Sequence, residues 1–476
     1  MSRPTPRDEA TTASLEIPID AQSRALAHES GEQHPLVRAF VERFLPPLYC
    51  EVDTAIAAGD EMYGFAVNEQ YQHRGLALVA YLRSGWLAWE TLEQVLRWRF
   101  GEAHDVGRLL DVASGFGRMT RFLVAAIPEQ RVYVSEINPA ALDFQAERFG
   151  VTPLLSSADP AAFTCERRFD CVNVFSLFTH LPETRFHAWL ARLWELVLPG
   201  GVLVFSTNGP VIAPPDRRPA EGGIRFDRVS EIAGLSLEDY GSTWVGEGFV
   251  RQAVATACPG ASSCLRFDRA LWACQDLWVV PRGDSALADS QAMLRLDLEP
   301  LAWLDTAFLD AADLLHAHGW ALDRDRPDQP VAIRIEAGGQ EIAALRTSLP
   351  RPDIAQVHGS AGDHAGWEAR CQSSAPADPD QPRAFDPNAP LLVTATAASG
   401  RTALVHLSAI EGADLRQRAA GSLEEIRFES LGLRNTIAGL EARIAAMEQS
   451  RFWKLRDAWW KVRRAVGLGE RSASRT

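Results

Sequence analysis

Short apolar runs alternate with stretches of helical spacing through the first half of the chain. Residues 109–112, 131–137, 151–157, 169–175 and 202–206 are rich in Val, Leu, Ile and Phe, the pattern of strands in an α/β sheet. Between them apolar positions recur every third or fourth residue, predicting one helix that begins near Arg118 and another over 185–197. Upstream, Val37, Phe40, Val41 and Phe44 predict a helix over 36–48, and Trp86, Leu87, Leu92, Val95, Leu96 and Trp98 a second over 85–100. These two would precede and cap the sheet. Tyr63 and Tyr81 lie between them, each able either to close over a ligand or to pack between helices. After Pro281 the period changes. Following an apolar segment at 301–315, residues 331–336 and 341–345 alternate with period two around Gly338-Gly339, and 391–396 and 403–407 do so around Ser399-Gly400. Each pair predicts a hairpin, with Gly319-Trp320 and Gly366-Trp367 at the strand edges.

The turn after the first run is Ala113-Ser114-Gly115-Phe116-Gly117, with Asp111 just before it. Its glycines lack a Cβ, so the backbone can bend sharply and approach a ligand, and the next helix points free N–H groups back at it. The turn has one glycine fewer than the G-x-G-x-x-G fingerprint for pyrophosphate, which suggests a nucleoside ligand without a diphosphate. Glu136 ends the second run about 20 residues on, where a carboxylate suits ribose hydroxyls; a helix N-cap acid is the competing reading. Asp159 follows the third run, placed to meet an adenine amino group or to start the next helix. In Leu198-Pro199-Gly200-Gly201, proline and two glycines stop a helix and reverse the chain ahead of the fifth run.

Composition narrows the class. A chain of 476 residues is too long for one ordinary core. Its formal charge of −14 argues against a general nucleic-acid binder. The charge is uneven, however, because residues 451–476 carry +6 and the remainder −20. Seven cysteines without a C-x-x-C pair read as reduced thiols, with no metal framework. The polar, Pro-punctuated stretch 1–34 reads as a disordered lead-in without a secretory signal, and no run is long enough to span a membrane.

Taken in order, Asp111 to Gly117, Glu136, Phe169-Asp170, Ser176…His180-Leu181-Pro182 and the stretch 198–206 resemble a class I S-adenosylmethionine-dependent methyltransferase. The resemblance covers residues 35–281 and implies a Rossmann-like domain: a sheet of seven strands, the last antiparallel, for which 275–280 is the natural candidate. It also implies S-adenosylmethionine as cofactor. Asp111, Ser114, Gly115 and Gly117 would line its methionine end, Glu136 would hold the ribose, Asp159 would lie near the adenine, and Phe175 and Ser176 would flank the sulfonium, with Ala113 and Ile137 also among the cofactor-binding residues. Asn208-Gly209 departs from the His-Gly that many relatives place after the fifth strand. Methyl transfer from an activated sulfonium depends largely on positioning, and a general base is needed only for a hydroxyl acceptor. His180 is the candidate base, with a structural role as its rival; His73 is a weaker candidate.

The remainder divides into a linker (282–296), a small all-β sandwich (297–410), a coiled coil (415–449) and a basic amphipathic helix (450–468). The sandwich resembles accessory modules of bacterial polysaccharide-processing enzymes, its tryptophans either binding glycan or packing inside. Leu423, Ile426, Leu433, Ile437, Leu440, Ile444 and Met447 keep heptad spacing with Ser430 as the one polar break, the pattern of a short oligomerising coiled coil or of one amphipathic helix packed on its own domain. Past Arg451, Phe452, Leu455, Trp459, Val462 and Val466 share a helical face amid basic residues, which suits an anionic membrane surface. This tail resembles those of O-antigen and capsule assembly enzymes. The expectation is a cytoplasmic methyltransferase, peripheral to the inner membrane and homo-oligomeric. It would act on a sugar hydroxyl or terminal group of a lipid-linked glycan and would not bind nucleic acid. The alternatives are a methyltransferase of a soluble secondary metabolite, or a non-catalytic scaffold in a glycan-assembly complex.

Overall fold

The computed structural model describes residues 34–67, 74–229, 236–283, 293–310, 314–372, 385–386 and 389–408. His73, the lead-in, the coiled coil and the basic tail lie outside the described residues. The chain forms two compact units. One runs to Asp305 and takes in Gly319–Trp367 and Ala389–Ala409; the other comprises Thr306–His318, Glu368–Asn388 and the chain from Ile410.

The first unit opens with α1 (Pro35–Phe44), α2 (Glu61–Phe65) and α3 (Arg74–Phe100). A helix start at 85 is corrected to Arg74, so Tyr81 is helical. Fifteen of the 27 residues of α3 are buried, a helix enclosed on most sides, which is why its first turns lack a polar face to mark them. Gly85 permits the closest approach, since a Cβ there would lie 2.0 Å from the carbonyl oxygen of Arg118.

Then come β1 (Leu109–Val112), α4 (Thr120–Ala126), β2 (Val132–Glu136), α5 (Pro139–Phe149), β3 (Thr152–Leu155), β4 (Phe169–Val174), α6 (Glu183–Leu196) and β5 (Val197–Asn208). Asn138 caps α5 by accepting from Ala140 N, and Gly150 ends it at φ +69°. Residues 198–201, expected as a reversing turn, run on within β5, where Gly200 (φ +81°) absorbs the bend. Last are β6 (Ile224–Asp227), β7 (Ser242–Val245), α7 (Glu247–Ala257), β8 (Leu265–Leu271) and β9 (Gln275–Pro281).

The strands pair in the order β3-β2-β1-β4-β5, all parallel. β9 lies antiparallel to β5 from Val202↔Pro281 to Asn208↔Gln275, and β8 pairs its far side. The β6–β7 hairpin joins β5 only at Asn208↔Trp244 and brings the sheet to nine strands where seven were expected. Side chains alternate between two apolar cores. Leu109, Val132, Val134, Val202, Val204, Leu277 and Val279 face α1, α3 and α4, whereas Leu110, Val112, Val172, Val174, Leu203, Phe205 and Trp278 face α6 and α7. Burial on both faces is what makes these strands continuous apolar runs.

The C-terminal region adds β10 (Leu301–Leu309), β11 (Leu314–Leu322), β12 (Ala332–Ala337), β13 (Gln340–Arg346), α8 (Pro352–His358), β14 (Gly366–Gln372), β15 (Leu391–Thr396) and β16 (Thr402–Ser408). Both expected hairpins form, β12 with β13 and β15 with β16, in a sheet ordered β13-β12-β15-β16. A second sheet runs β10-β11-β14, so the apolar segment is strand over Leu301–Leu309 and again from Leu314. Trp320 lies inside β11, not at its edge, and Trp367 is buried. Leu392, Leu404 and Leu407 belong to the same apolar core as α1 and α3. Arg401 adds an ionic tie to this packing, donating to Glu90 Oε1 at 2.6 Å and to Asp297 O at 3.0 Å.

Burial pushes the Glu90 carboxyl up to about 7, and the Arg401 guanidinium opposes that rise. Arg401→Met leaves Glu90 buried near Glu93 and Glu299. At about pH 8 the variant should lose about 1–3 kcal/mol of unfolding free energy, less than a fully buried pair because both side chains are partly exposed. A raised folded-state pKa means that the native state favours neutral Glu90, so the loss should shrink at about pH 5.5. Urea denaturation at both pH values reads the difference; an equal loss at each would contradict the account.

Candidate active site

The chain leaves β1 through a turn in which Ala113 (φ +56°), Gly115 (φ +56°) and Gly117 (φ +76°) are all left-handed. For Ala113 that conformation costs about 1–2 kcal/mol, so the surroundings must hold it. Three interactions do. Ser114 N donates to Ser135 O at 3.3 Å, joining the turn to β2. Gly115 N donates to Glu136 Oε2 at 2.9 Å. From below, the fully buried Gln145 of α5 donates to Ser114 Oγ (2.9 Å) and Gly115 O (2.8 Å) and accepts from Thr120 Oγ1 (2.8 Å). The helix after the turn begins at Thr120, two residues later than expected.

The two glycines differ in role. A Cβ at Gly117 would lie 2.5 Å from the Phe149 ring and 3.0 Å from Gln145, so this position serves packing against α5. A Cβ at Gly115 would meet nothing within 4 Å, so this backbone faces open space.

Asp111, buried at the end of β1, accepts from Asn173 Nδ2 at 2.8 Å. Burial pushes its carboxyl up to about 7, with nearby Glu136 adding to the rise while Asn173 and Arg118 oppose it. Glu136 also accepts from Ile137 N (2.7 Å) and Asn138 N (3.3 Å). Since Asn138 caps α5, Glu136 is not the N-cap acid. Ile137 is exposed beside it. Asp159 is not followed by a helix; it pairs with Arg185 of α6 at 2.9 Å and accepts from Ala161 N, with no bond to the turn among the described residues.

At the end of β4, Phe175 is buried and Ser176 is left-handed (φ +62°). Ser176 N donates to Ser206 Oγ at 2.9 Å, Ser206 Oγ donates to Gln275 Oε1 at 2.7 Å, and Gln275 Nε2 returns to Ser176 Oγ at 3.1 Å. The ends of β4, β5 and β9 are thereby tied together. His180 stacks on Tyr240 with ring centroids 4.6 Å apart, and its Nδ1 lies 2.8 Å from Gly241 O. A carbonyl only accepts, so Nδ1 carries the proton in this contact, and in the neutral tautomer the acceptor nitrogen is Nε2.

Several side chains around the turn carry no sequence motif. Arg121, 1% exposed, donates to Gly117 O, Asp53 O (2.7 Å) and Ala55 O (3.0 Å) and lies 5.4 Å from the ring centroids of both Tyr81 and Phe149. It straps residues 53–55 to the turn. Asp60 caps α2 and accepts from the Tyr81 hydroxyl, and burial pushes the Asp60 carboxyl above its usual range. Tyr63 and Tyr81 are both buried, in edge-to-face contact. Trp272, also left-handed (φ +53°), donates from Nε1 to Ser84 O at 2.7 Å and meets Phe175 edge-on. Among the described residues no group of three or more His, Cys, Asp or Glu is placed to hold a metal ion.

Gly117→Ala should destabilise the protein by about 2–4 kcal/mol, combining overpacking against Phe149 with left-handed strain. Gly115→Ala carries the strain alone and should cost about 1 kcal/mol. Denaturant unfolding of the two variants measures the difference, and equal losses would count against the distinct roles.

Residues 110–203 match the family model described as a methyltransferase domain. No curated protein matches the chain. Among solved structures, a S-adenosylmethionine-dependent methyltransferase from Clostridium acetobutylicum is 14% identical, with 42% of this chain and 92% of that one covered at a TM-score of 0.31. DesVI of Streptomyces venezuelae is 18% identical, with 42% and 93% covered and a TM-score of 0.31. CalS10 of Micromonospora echinaspora, an amino pentose methyltransferase, is 22% identical, with 40% and 88% covered and a TM-score of 0.29. Scores this low leave the assignment to the family model, the strand order with its antiparallel β9, and the turn after β1. On those grounds the chain contains a class I methyltransferase domain, and S-adenosylmethionine is its cofactor.

Proposed function

We propose that this domain methylates a sugar hydroxyl, or a terminal group, of a lipid-linked surface glycan at the cytoplasmic face of the inner membrane. The observation that carries the methyl-transfer part is the pairing of Gly115 with Glu136: an open backbone and a carboxylate from adjacent strand ends, one hydrogen bond of 2.9 Å apart. That spacing fits a single ligand with an amino-acid end at the turn and ribose hydroxyls at Glu136. Bound S-adenosylmethionine supplies a methyl group already activated on a sulfonium.

The chain's own residues bind and orient. Asp111 faces the ligand's ammonium, and Ala113, Ser114, Gly115 and Gly117 shape the backbone beneath it. Glu136 and Ile137 take the ribose, Asp159 borders the adenine from its pairing with Arg185, and Phe175 and Ser176 flank the reacting carbon and keep water from it. His180 Nε2 receives the proton of an acceptor hydroxyl. The glycan and the membrane are supported by the coiled-coil pattern at 415–449 and the basic, tryptophan-rich pattern at 450–468. The heptad pattern at 415–449 also supports a homo-oligomer.

An ammonium ligand requires the charged form of Asp111, whose carboxyl burial pushes up to about 7. Affinity for S-adenosylhomocysteine should therefore rise between about pH 6 and about pH 8, and Asp111→Asn should weaken binding and flatten the profile. A profile that Asp111→Asn leaves unchanged would remove Asp111 from the site.

For the acceptor, labelled methyl should enter an extracted lipid-linked glycan fraction, and truncation after Met447 should abolish co-sedimentation with anionic liposomes. Label in soluble metabolites alone would overturn the glycan assignment. Cofactor binding with no transfer to either fraction would favour a non-catalytic scaffold.

A further inference from the structure

Arg118 is the first residue after the glycine turn and reaches into the space around it. Its backbone is fixed because α3 crosses it at Gly85, where any side chain would strike the Arg118 carbonyl. Its guanidinium lies 5.0 Å from the ring centroid of Trp272. That ring is itself immobilised by its bond to Ser84 O and by a left-handed backbone that a bulky residue adopts only under constraint. A half-buried cation is thus held over an aromatic face at the mouth of β1.

Among the described residues this guanidinium makes no hydrogen bond and no ion pair. The acids around it are engaged elsewhere: Asp60 accepts from Tyr81 and Tyr63 N, and Asp111 accepts from Asn173. Five N–H donors, partly withdrawn from water, therefore have no protein acceptor. Burial also pulls the Arg118 pKa below its usual value, and Tyr81, Asp60 and Asp111 counter this only at a distance. Such a fork matches a planar carboxylate, which it can bind through two parallel hydrogen bonds. A dianionic phosphate fits less well, because Asp60 and Asp111 flank the cation. Their negative charge beside the positive charge of Arg118 complements a zwitterion.

We propose that Arg118, seated on Trp272, binds the α-carboxylate of the cofactor's amino-acid end while Asp111 faces its ammonium. This rests on the methyltransferase reading and adds to it a carboxylate-binding residue outside the motif residues. An acceptor that itself carries a carboxylate could use the same fork, and the choice of ligands separates the two sources.

The test is calorimetry on the full-length chain with S-adenosylhomocysteine, which has the amino-acid end, and 5′-methylthioadenosine, which lacks it. Arg118→Gln should weaken S-adenosylhomocysteine about 10- to 100-fold, the range for charge-assisted hydrogen bonds. It should leave 5′-methylthioadenosine within about twofold, and that ligand also reports whether the variant is folded. Arg118→Lys should lie between, keeping the charge but losing the fork. Equal loss for both ligands would mean that Arg118 only shapes the site. No loss for either would assign the fork to the acceptor; each of these results overturns the proposal. A wild-type chain that binds neither ligand would instead overturn the cofactor reading on which the proposal rests.

Discussion

The site depends on a turn that must remain in an unfavourable conformation. Three left-handed residues within five positions are held by groups with no freedom to leave: Gln145 beneath, Glu136 beside and Ser135 O at the strand edge. Gln145 is central because both its N–H donors and its carbonyl oxygen are engaged locally, on Ser114, Gly115 and Thr120. Burying an amide is tolerable only when it is satisfied in this way. The result is a backbone fixed before any ligand arrives, so that ordering the turn adds no cost to binding.

Strain recurs in the same unit. Ala113, Ser176 and Trp272 are all left-handed, none is glycine, and each sits at the end of a strand or the turn that follows one. Each is held by neighbours: Ser176 by Ser206 and Gln275, Trp272 by Ser84. The sheet supplies the rigidity they require. Its strands are buried on both faces, and their carboxyl ends cannot shift without disturbing two cores at once.

These supports also explain what could be read from the sequence. The strands were legible because two-sided burial writes continuous apolar runs, and the hairpins because one-sided burial writes alternation around glycine turns. Asp111, the turn and Glu136 were legible because they follow one another at fixed local spacing. Gln145, Gln275 and Trp272 were not: their partners lie 31, 99 and 188 residues away, and no local pattern marks such pairs. The β6–β7 hairpin was missed because four-residue strands are too short for alternation to register. The pairing of Asp159 with Arg185 was not legible either, because Arg185 comes from a helix that the local pattern does not connect to it.

Helix α3 joins these observations physically. Along one 27-residue helix, Tyr81, Ser84 and Gly85 serve the turn, through Asp60, Trp272 and the Arg118 backbone. One to three turns further on, Glu90 and Gln94 bind Arg401 and Asp297 of the C-terminal region. The two sets share a backbone whose hydrogen bonds are continuous, so the C-terminal strands and the glycine turn brace the same rigid rod. A helix held at only one of these places would be free to pivot about the other, and Gly85 has no slack for it, because its approach to Arg118 leaves no room even for a methyl group. The β-strands beyond residue 390 thus help to hold the helix against which the methyltransferase turn packs.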